Sequence, residues 1–115
     1  MRRTGENLIY KDNINQIISF GKLSFDTERN ELWDHQNLIY LTSSESKIMQ
    51  IFSKSIGVPI TRFDLIKALR TNGKPMNDRA IDVQITRLRR KIERNPKEPR
   101  YLQTLRGIGY MLTAD

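Results

Sequence analysis

Residues 77–94 of the chain read NDRAIDVQITRLRRKIER, a segment with the period of an amphipathic helix. Asn77 or Asp78 can cap its start, and Pro96 ends it after about Glu93. At about 100° of rotation per residue, four aliphatic side chains fall within about 60° of one another and predict a buried stripe. These four residues are Ile81, Ile85, Leu88 and Ile92.

The opposite side of this predicted helix, at about 160° to 240° by the same rotation, is basic. It contains Arg79, Val83, Arg87, Arg90 and Arg94. Like charges on one helical face repel one another unless a polyanion neutralises them. The planar fork of arginine matches phosphate oxygens and the O6/N7 edge of guanine, and an exposed valine can contact a thymine methyl group. The pattern predicts a helix that reads DNA.

Three charged residues lie beside this basic stripe: Asp82, Arg89 and Glu93. Glu93 can pair with Arg89 four residues earlier on the same helix. We therefore assign all three to stabilising the fold and not to contacting bases.

A β-hairpin is predicted after this helix, with strands at 101–105 and 110–113. Arg106 stands at its turn, where Gly107 and Gly109 permit tight bending and a close approach of the backbone to a partner. An arginine at such a tip can enter a minor groove, whose negative potential attracts guanidinium.

Two helices are predicted before the basic one. Thr42-Ser43-Ser44-Glu45 is a capping box, and Gly57 with Pro59 ends the helix that it begins. Thr61 caps a second helix, with Asp64 three residues later. A tight turn between the two predicts a helix-turn-helix. The expected buried residues are Ile48, Met49, Phe52 and Ile56 on the first helix, and Leu65, Ile66 and Leu69 on the second.

Residues 17–41 alternate short apolar segments with turn-forming residues and predict a small antiparallel meander. Residues 1–15 are mainly charged and polar, which suits a linker or tail. We expect one domain over 16–115.

The chain has 115 residues and a net charge of +7, so polyanions are the first partners to consider. Nine basic and three acidic residues lie between Arg79 and Arg106, so the charge is concentrated near the predicted DNA-reading helix. There is no cysteine and no apolar run long enough for a signal peptide or membrane span. We expect a soluble, cytoplasmic protein without a membrane partner.

Three other classes of function fit the sequence less well. An enzyme is disfavoured because the single histidine, His35, lies in a predicted turn beside Asp34, without metal-ligand spacing or a phosphate-binding loop. We expect no catalytic residue, cofactor or metal. An RNA-binding or non-specific module would more often present stacking aromatics, and we prefer Phe25, Trp33 and Tyr40 as core or sheet-packing residues. The arginine stripe argues against a domain that serves only as a protein-interaction module.

The order of motifs over residues 17–113 resembles the OmpR/PhoB family of response-regulator output domains, with motifs nearest to the OmpR branch. The segments that carry the resemblance are Phe20-Gly21-Lys22-Leu23, Leu41-Thr42-Ser43-Ser44-Glu45, Thr61-Arg62, 81–91, Pro99-Arg100-Tyr101 and 104–110.

This resemblance implies an α+β winged helix-turn-helix fold. It would comprise an N-terminal antiparallel four-stranded sheet, three helices and a C-terminal β-hairpin wing. The third helix, about 78–93, would lie in the major groove and the wing at the minor groove of double-stranded DNA.

The resemblance also assigns roles to individual residues. We expect base or groove contacts from Val83, Arg87, Arg90 and Arg106. We expect phosphate contacts from Thr61, Arg62, Arg79, Thr86 and Arg94. The loop 71–77, with Asn72, Gly73, Lys74 and Pro75, would contact RNA polymerase.

Members of the family usually carry an N-terminal phosphoacceptor receiver domain, for which 115 residues leave no space. We expect an isolated output domain, and the linker-like first residues favour a longer parent protein. We expect the isolated output domain to be a monomer when it is not bound to DNA, and to bind tandem half-sites on DNA.

Overall fold

Four short antiparallel strands begin the described part of the chain. The computed structural model describes residues 17–70 and 76–115, so the predicted tail lies outside it. The strands are β1 (Ile17–Phe20), β2 (Leu23–Asp26), β3 (Glu31–Asp34) and β4 (Asn37–Ile39), and they form one sheet in that order. The meander predicted from residues 17–41 is confirmed.

One row of apolar side chains crosses this sheet. The register places Ile18 opposite Phe25, Phe25 opposite Leu32, and Leu32 opposite Ile39. Side chains alternate between the two faces of a strand, so the whole row points to one side. Phe25 and Leu32 are fully buried, and the two edge residues pack against the same core.

The three aromatic residues that were expected to pack in the core or sheet differ in burial. Phe25 is buried and Trp33 is half-buried, as expected. The prediction for Tyr40 is wrong, because its side chain is 74% exposed. Tyr40 follows the last residue of β4, so no neighbouring strand covers it.

The first helix, α1 (Ser43–Ser53), begins with the predicted capping box. The backbone N–H of Thr42 donates to Oε1 of Glu45 at 2.9 Å, and the N–H of Glu45 donates to Oγ1 of Thr42 at 3.2 Å. Ile48, Met49 and Phe52 are fully buried. The prediction that Ile56 continues this face is wrong, since the helix ends at Ser53 and Ile56 is 38% exposed.

The connection from α1 to the second helix is longer than the predicted tight turn. It spans residues 54–61 and contains a short strand, β5 (Ile60–Thr61). This strand pairs with the C-terminal hairpin, and Gly57 N–H also donates to the Leu112 carbonyl at 2.9 Å. These backbone hydrogen bonds hold the connection extended, and their partners lie about fifty residues away in the sequence.

The second and third helices are α2 (Arg62–Leu69) and α3 (Asp78–Ile92). Thr61 caps α2, and Asn77 caps α3 by accepting the Ala80 N–H at 2.9 Å. On α2, Leu65 and Leu69 are buried and Ile66 packs partly against the core, as predicted. The predicted apolar stripe of α3 is also confirmed, with Ile81, Ile85 and Leu88 at 0% and Ile92 at 3% exposure.

The C-terminal hairpin consists of β6 (Leu102–Leu105) and β7 (Gly109–Leu112). With β5 it forms a three-stranded sheet in the order β5-β7-β6. We call the hairpin, residues 102–112, the wing. The predicted winged helix-turn-helix architecture is confirmed.

At Gly109 the backbone of a neighbouring strand comes so close that only a residue without a Cβ atom fits. A Cβ atom at this position would lie 2.2 Å from the carbonyl oxygen of Ile60 and 2.8 Å from the Cα of Thr61. The sequence predicted that the wing glycines allow a partner to approach closely. At Gly109 the approaching backbone is β5 of the same chain, because β5 and β7 must pair there.

Candidate nucleic-acid interface

The exposed side of α3 carries a basic surface that is continuous across three turns. Arg79, Val83, Thr86, Arg87 and Arg90 are all exposed and, with Asp82, line one shallow depression. We call these five exposed residues the α3 basic face. The structure thus brings together most of the predicted α3 contacts. Burial of the opposite, aliphatic stripe turns this face toward solvent.

The arginines of the α3 basic face have no partner within the described ranges. Hydrogen bonds and ion pairs there use the guanidinium groups of Arg62, Arg89 and Arg100. Those of Arg79, Arg87 and Arg90 make no such contact with residues 17–70 or 76–115. Three arginine forks are therefore available to an external anion or base edge.

Val83 lies among these arginines with 43% of its side chain exposed. The exposed part of this aliphatic side chain gains nothing from the hydrophobic effect in the free protein. It offers the one apolar contact in the middle of the α3 basic face, of the kind that fits a thymine methyl group.

The two threonines predicted to contact phosphates differ in what their hydroxyl groups already do. Thr86 Oγ1 donates to the Asp82 carbonyl within the helix at 2.9 Å, so it must rotate before it can donate to a phosphate. Thr61 Oγ1 accepts the Asp64 N–H at 3.0 Å as a helix cap, and its own hydrogen has no acceptor among residues 17–70 and 76–115.

Arg62 is placed differently from the remaining predicted phosphate contacts. Its Nε donates to Oδ1 of Asp82 at 2.9 Å, and its Nη2 donates to the Tyr110 hydroxyl at 3.3 Å. Hydrogen bonding to Asp82 is the largest cause that raises the pKa of Arg62. Two of the five N–H donors of this guanidinium are therefore used inside the domain, while the side chain is 33% exposed.

Arg94 lies beyond the end of α3, so its helical angle does not assign it to the basic stripe. It is exposed and lines a second groove with Gly21, Lys22, Glu98 and Arg100, between the β1–β2 turn and the C-terminal end of α3. The structure thus separates Arg94 from the α3 basic face.

Arg106 lies at the tip of the wing, as predicted. Residues 106–108 form its turn and are exposed, and Gly107 adopts a positive φ of 78° there. Only glycine takes this backbone conformation without strain. The turn places Arg106 and the half-exposed Ile108 at the same end of the domain surface.

Two buried carboxylates join α3 to its neighbours, and the sequence did not indicate these partners. Glu93 accepts backbone N–H groups from Arg100 at 2.8 Å, Tyr101 at 2.9 Å and Leu102 at 2.7 Å. The predicted pairing of Glu93 with Arg89 is therefore wrong. Arg89 instead donates to the Leu102 carbonyl at 2.8 Å. Both side chains connect α3 to the wing, which supports their predicted structural role.

The second buried carboxylate is Glu45, which is 2% exposed and pairs with Lys91 of α3. Burial tends to raise the pKa of Glu45, but hydrogen bonds from Lys91 and from the Thr42 backbone outweigh it and lower the pKa. The capping box could be read from the sequence, whereas its glutamate's partner on α3 could not.

His35 and the predicted polymerase-contact loop are the remaining residues that the sequence singled out. His35 is an exposed turn residue with φ of 59°, bonded to Asp34 at 2.9 Å. Residues 17–70 and 76–115 contain no group of three or more His, Cys, Asp or Glu side chains able to bind a metal, and no helix able to cross a membrane. Asn72, Gly73, Lys74 and Pro75 lie outside the described residues.

The model of a family described as "Transcriptional regulatory protein, C terminal" matches residues 35–112. The chain belongs to the OmpR/PhoB family of C-terminal DNA-binding domains. The family is a class of DNA-binding transcription regulators and not a class of enzymes. Sequence-specific DNA binding in transcription regulation is thus the function of this OmpR/PhoB domain.

Similar proteins include two bacterial regulators. The chain is 48% identical over 105 residues to protein PetR of Rhodobacter capsulatus, covering 87% of the chain and 44% of PetR. It is 36% identical over 96 residues to the transcriptional regulatory protein AruR of Pseudomonas aeruginosa, covering 83% of the chain and 39% of AruR. This OmpR/PhoB domain spans less than half the length of these relatives.

Solved structures agree with this assignment. The response regulator DrrB of Thermotoga maritima, an OmpR/PhoB homologue, superposes with a TM-score of 0.77 at 28% identity, over 91% of this chain and 48% of DrrB. The RstA DNA-binding domain of Klebsiella pneumoniae, in complex with the RstA box, superposes with a TM-score of 0.69 at 30% identity, over 85% of this chain and 97% of the RstA chain. The predicted OmpR/PhoB membership is confirmed.

Proposed function

We propose that α3 of this OmpR/PhoB domain lies in the major groove of double-stranded DNA while the wing meets the adjacent minor groove. The observation that carries this proposal is the α3 basic face, where three arginines without partners in the described part of the chain surround an exposed valine. An α-helix fits the major groove of B-DNA, and only that groove distinguishes all four base pairs.

The residues that read the bases are Val83, Arg87 and Arg90. A guanidinium can donate two hydrogen bonds to O6 and N7 of guanine, and a valine methyl can contact the thymine methyl. The preferred half-site therefore contains guanine and thymine within reach of α3. The neighbouring Asp82 and Tyr110 are bonded inside the domain and take no part in base reading.

Phosphate contacts come from residues at the edges of this surface. Arg79 at the start of α3 has a guanidinium without a partner among residues 17–70 and 76–115, and the Thr61 hydroxyl donates to no acceptor in the same ranges. Thr86 joins them by rotating away from the Asp82 carbonyl. Arg94 reaches a phosphate from the far end of α3, and Arg62 supports binding from inside the domain.

Arg106 enters the minor groove from the tip of the wing. Narrow, A·T-rich minor grooves have an enhanced negative potential that attracts a guanidinium group. The exposed Ile108 beside it supplies apolar contact with the groove wall.

The larger protein that we propose is a cytoplasmic response regulator, with 16–115 as its output domain. The chain covers 44% of PetR, which leaves room for a receiver domain of ordinary size in such a relative. The output domain is monomeric off DNA and meets a second copy on tandem half-sites. Residues 72–75 are the segment proposed to contact RNA polymerase.

Selection of binding sites from a randomised duplex pool tests the assignment of α3. The wild-type domain is expected to enrich one motif, and Arg87→Ala is expected to lose preference at one position of it. Arg29→Ala is the matched control, because Arg29 is an exposed arginine on the β2–β3 turn outside the proposed interface. Failure to enrich any motif, or recovery of the complete motif with Arg87→Ala, would contradict base reading by α3.

A further inference from the structure

A polar cluster joins α2, α3 and the wing behind the α3 basic face. The Tyr110 hydroxyl of β7 donates to Oδ1 of Asp82 on α3, and Arg62 of α2 donates to the same Oδ1 at 2.9 Å. The Arg62 guanidinium also lies 5.1 Å from the centre of the Tyr110 ring. We call Arg62, Asp82 and Tyr110 the junction cluster, since each belongs to a different element.

Arg89 holds the wing to α3 from beside the junction cluster. Its guanidinium lies 5.7 Å from the centre of the Tyr110 ring, within the range of a cation–π interaction. Its Nη2 donates to Oγ1 of Thr104, which stands opposite Tyr110 in the hairpin register, at 2.7 Å. Both strands of the wing are therefore tied to α3 at the same level.

These contacts lie closer to the wing tip than the attachments of the hairpin to the core and to Glu93, at the level where β5 also pairs with β7. Tyr110 is one residue after Gly109, where the chain returns from the turn, whereas Leu102 and Leu112 pack in the core at the opposite end. Glu93 also binds at that opposite end, at the backbone of Leu102. A change at Tyr110 would therefore leave the wing paired with β5 and anchored at its base, and would release only the contact that sets its angle to α3.

The charges of the junction cluster are mutually dependent. Burial tends to raise the pKa of Asp82, but hydrogen bonds from Tyr110 and Arg62 outweigh it and hold that pKa below its ordinary value of 3.8. Burial and the bond to Asp82 both raise the pKa of Tyr110 above 10.0. At neutral pH the carboxylate is thus ionised and the phenol protonated, as the donated hydrogen bond requires.

We propose that Tyr110 and Asp82 are positioning residues that fix the angle between α3 and the wing, so that Arg106 reaches the minor groove only while their hydrogen bond is intact. This inference rests on the proposed DNA contact of Arg106. It also gives Arg62 a different role from the phosphate contact predicted by sequence, because Arg62 would act through Asp82 and Tyr110.

A double-mutant cycle between Tyr110→Phe and Arg106→Ala tests this coupling. Affinities of the purified full chain for its selected duplex are measured by fluorescence anisotropy, below the unfolding temperature of every variant. Each single variant is expected to bind about tenfold more weakly. The double variant should bind within about twofold of Arg106→Ala, because the phenol acts only through the wing arginine.

Tyr101→Phe is the matched control. It removes a nearly buried tyrosine hydroxyl that also donates to a carboxylate, at 3.1 Å to Asp115, but away from the contact between α3 and the wing tip. Its affinity for the selected duplex should equal that of the wild type. The positioning role would be overturned if Tyr110→Phe binds the duplex as tightly as the wild type. It would also be overturned if the affinity losses of the two single variants multiply in the double variant.

The cycle separates this inference from the proposed function on which it rests. If Arg106→Ala binds as tightly as the wild type, the wing contact itself is wrong and the positioning role falls with it. Arg62→Gln repeats the cycle without altering the tyrosine. In the Arg106→Ala background, Arg62→Gln should cause no further loss of affinity for the selected duplex. If the two losses of affinity instead multiply, Arg62 is a direct phosphate contact and the positioning role is contradicted.

Discussion

The ammonium group of Lys91 on α3 lies 2.5 Å from Oε1 of Glu45 on α1, with the glutamate side chain 2% exposed. Lys91 also donates to the Tyr40 carbonyl oxygen at 2.7 Å. This lysine follows Arg89 and Arg90 in the sequence, yet its charge serves the packing of α3 against α1. Adjacent basic residues on α3 thus divide between the interior and the proposed DNA surface.

Lys91→Met should destabilise the domain by about 3 kcal/mol, because it leaves the Glu45 carboxylate buried without its cation. Chemical denaturation followed by circular dichroism measures this change in the free energy of unfolding. Lys47→Met is the control, since Lys47 is an exposed lysine on α1, and its change should stay within about 0.5 kcal/mol. Equal effects of the two substitutions would contradict a structural role for the buried pair.

The contribution of Glu45 should depend on pH in a defined direction. Its pKa in the folded domain lies below the ordinary value of 4.5, so its stabilisation is fully present above that value. It is lost as pH falls through the lower folded pKa. The difference in unfolding free energy between wild type and Lys91→Met should therefore shrink from pH 7 toward pH 3. A difference that stays constant over this range would contradict the assignment.

Gly109→Ala should destabilise the domain more than Gly107→Ala. An added Cβ at Gly109 would lie 2.2 Å from the Ile60 carbonyl oxygen, whereas nothing lies within 4 Å of one at Gly107. Gly107→Ala meets only the strain of a positive φ, about 1 to 2 kcal/mol. Thermal unfolding of the two variants ranks them, and a greater loss at Gly107 would show that β5 and β7 do not approach so closely.

Arg90→Ala and Arg79→Ala should separate base reading from phosphate binding. Loss of a bidentate base contact at Arg90 should cost about 1 to 3 kcal/mol on the selected duplex and little on a scrambled one. Arg79→Ala should weaken binding to both duplexes alike, because phosphates are present in every sequence. Anisotropy titrations at one salt concentration measure all four affinities. A uniform loss for Arg90→Ala would make Arg90 a phosphate contact.

The sequence predicted the features that depend on local periodicity and capping. The buried stripe of α3 and the caps at Thr42, Thr61 and Asn77 follow from residues within a few positions of one another. The exposed side of α3 follows equally, because a helix that buries Ile81 and Ile85 must present Arg87 and Arg90 to solvent.

Features that depend on distant pairs could not be predicted in this way. Glu45 and Lys91 are 46 residues apart, and Arg62 and Tyr110 are 48 apart. A charged side chain has the same sequence signature whether it faces solvent or a buried partner. This is why the contacts of Arg62 with Asp82 and Tyr110 were not predicted, and why β5, which depends on its pairing with β7, was not predicted either.

The most direct test of sequence-specific reading by α3 is the ratio of affinities for the selected and scrambled duplexes over a series of salt concentrations. The domain is expected to bind the selected duplex at least about 10³-fold more tightly than the scrambled one at physiological salt. Equal affinities that weaken with the same steep salt slope would show that phosphate charge alone drives binding, and would contradict the proposed reading of bases by Val83, Arg87 and Arg90.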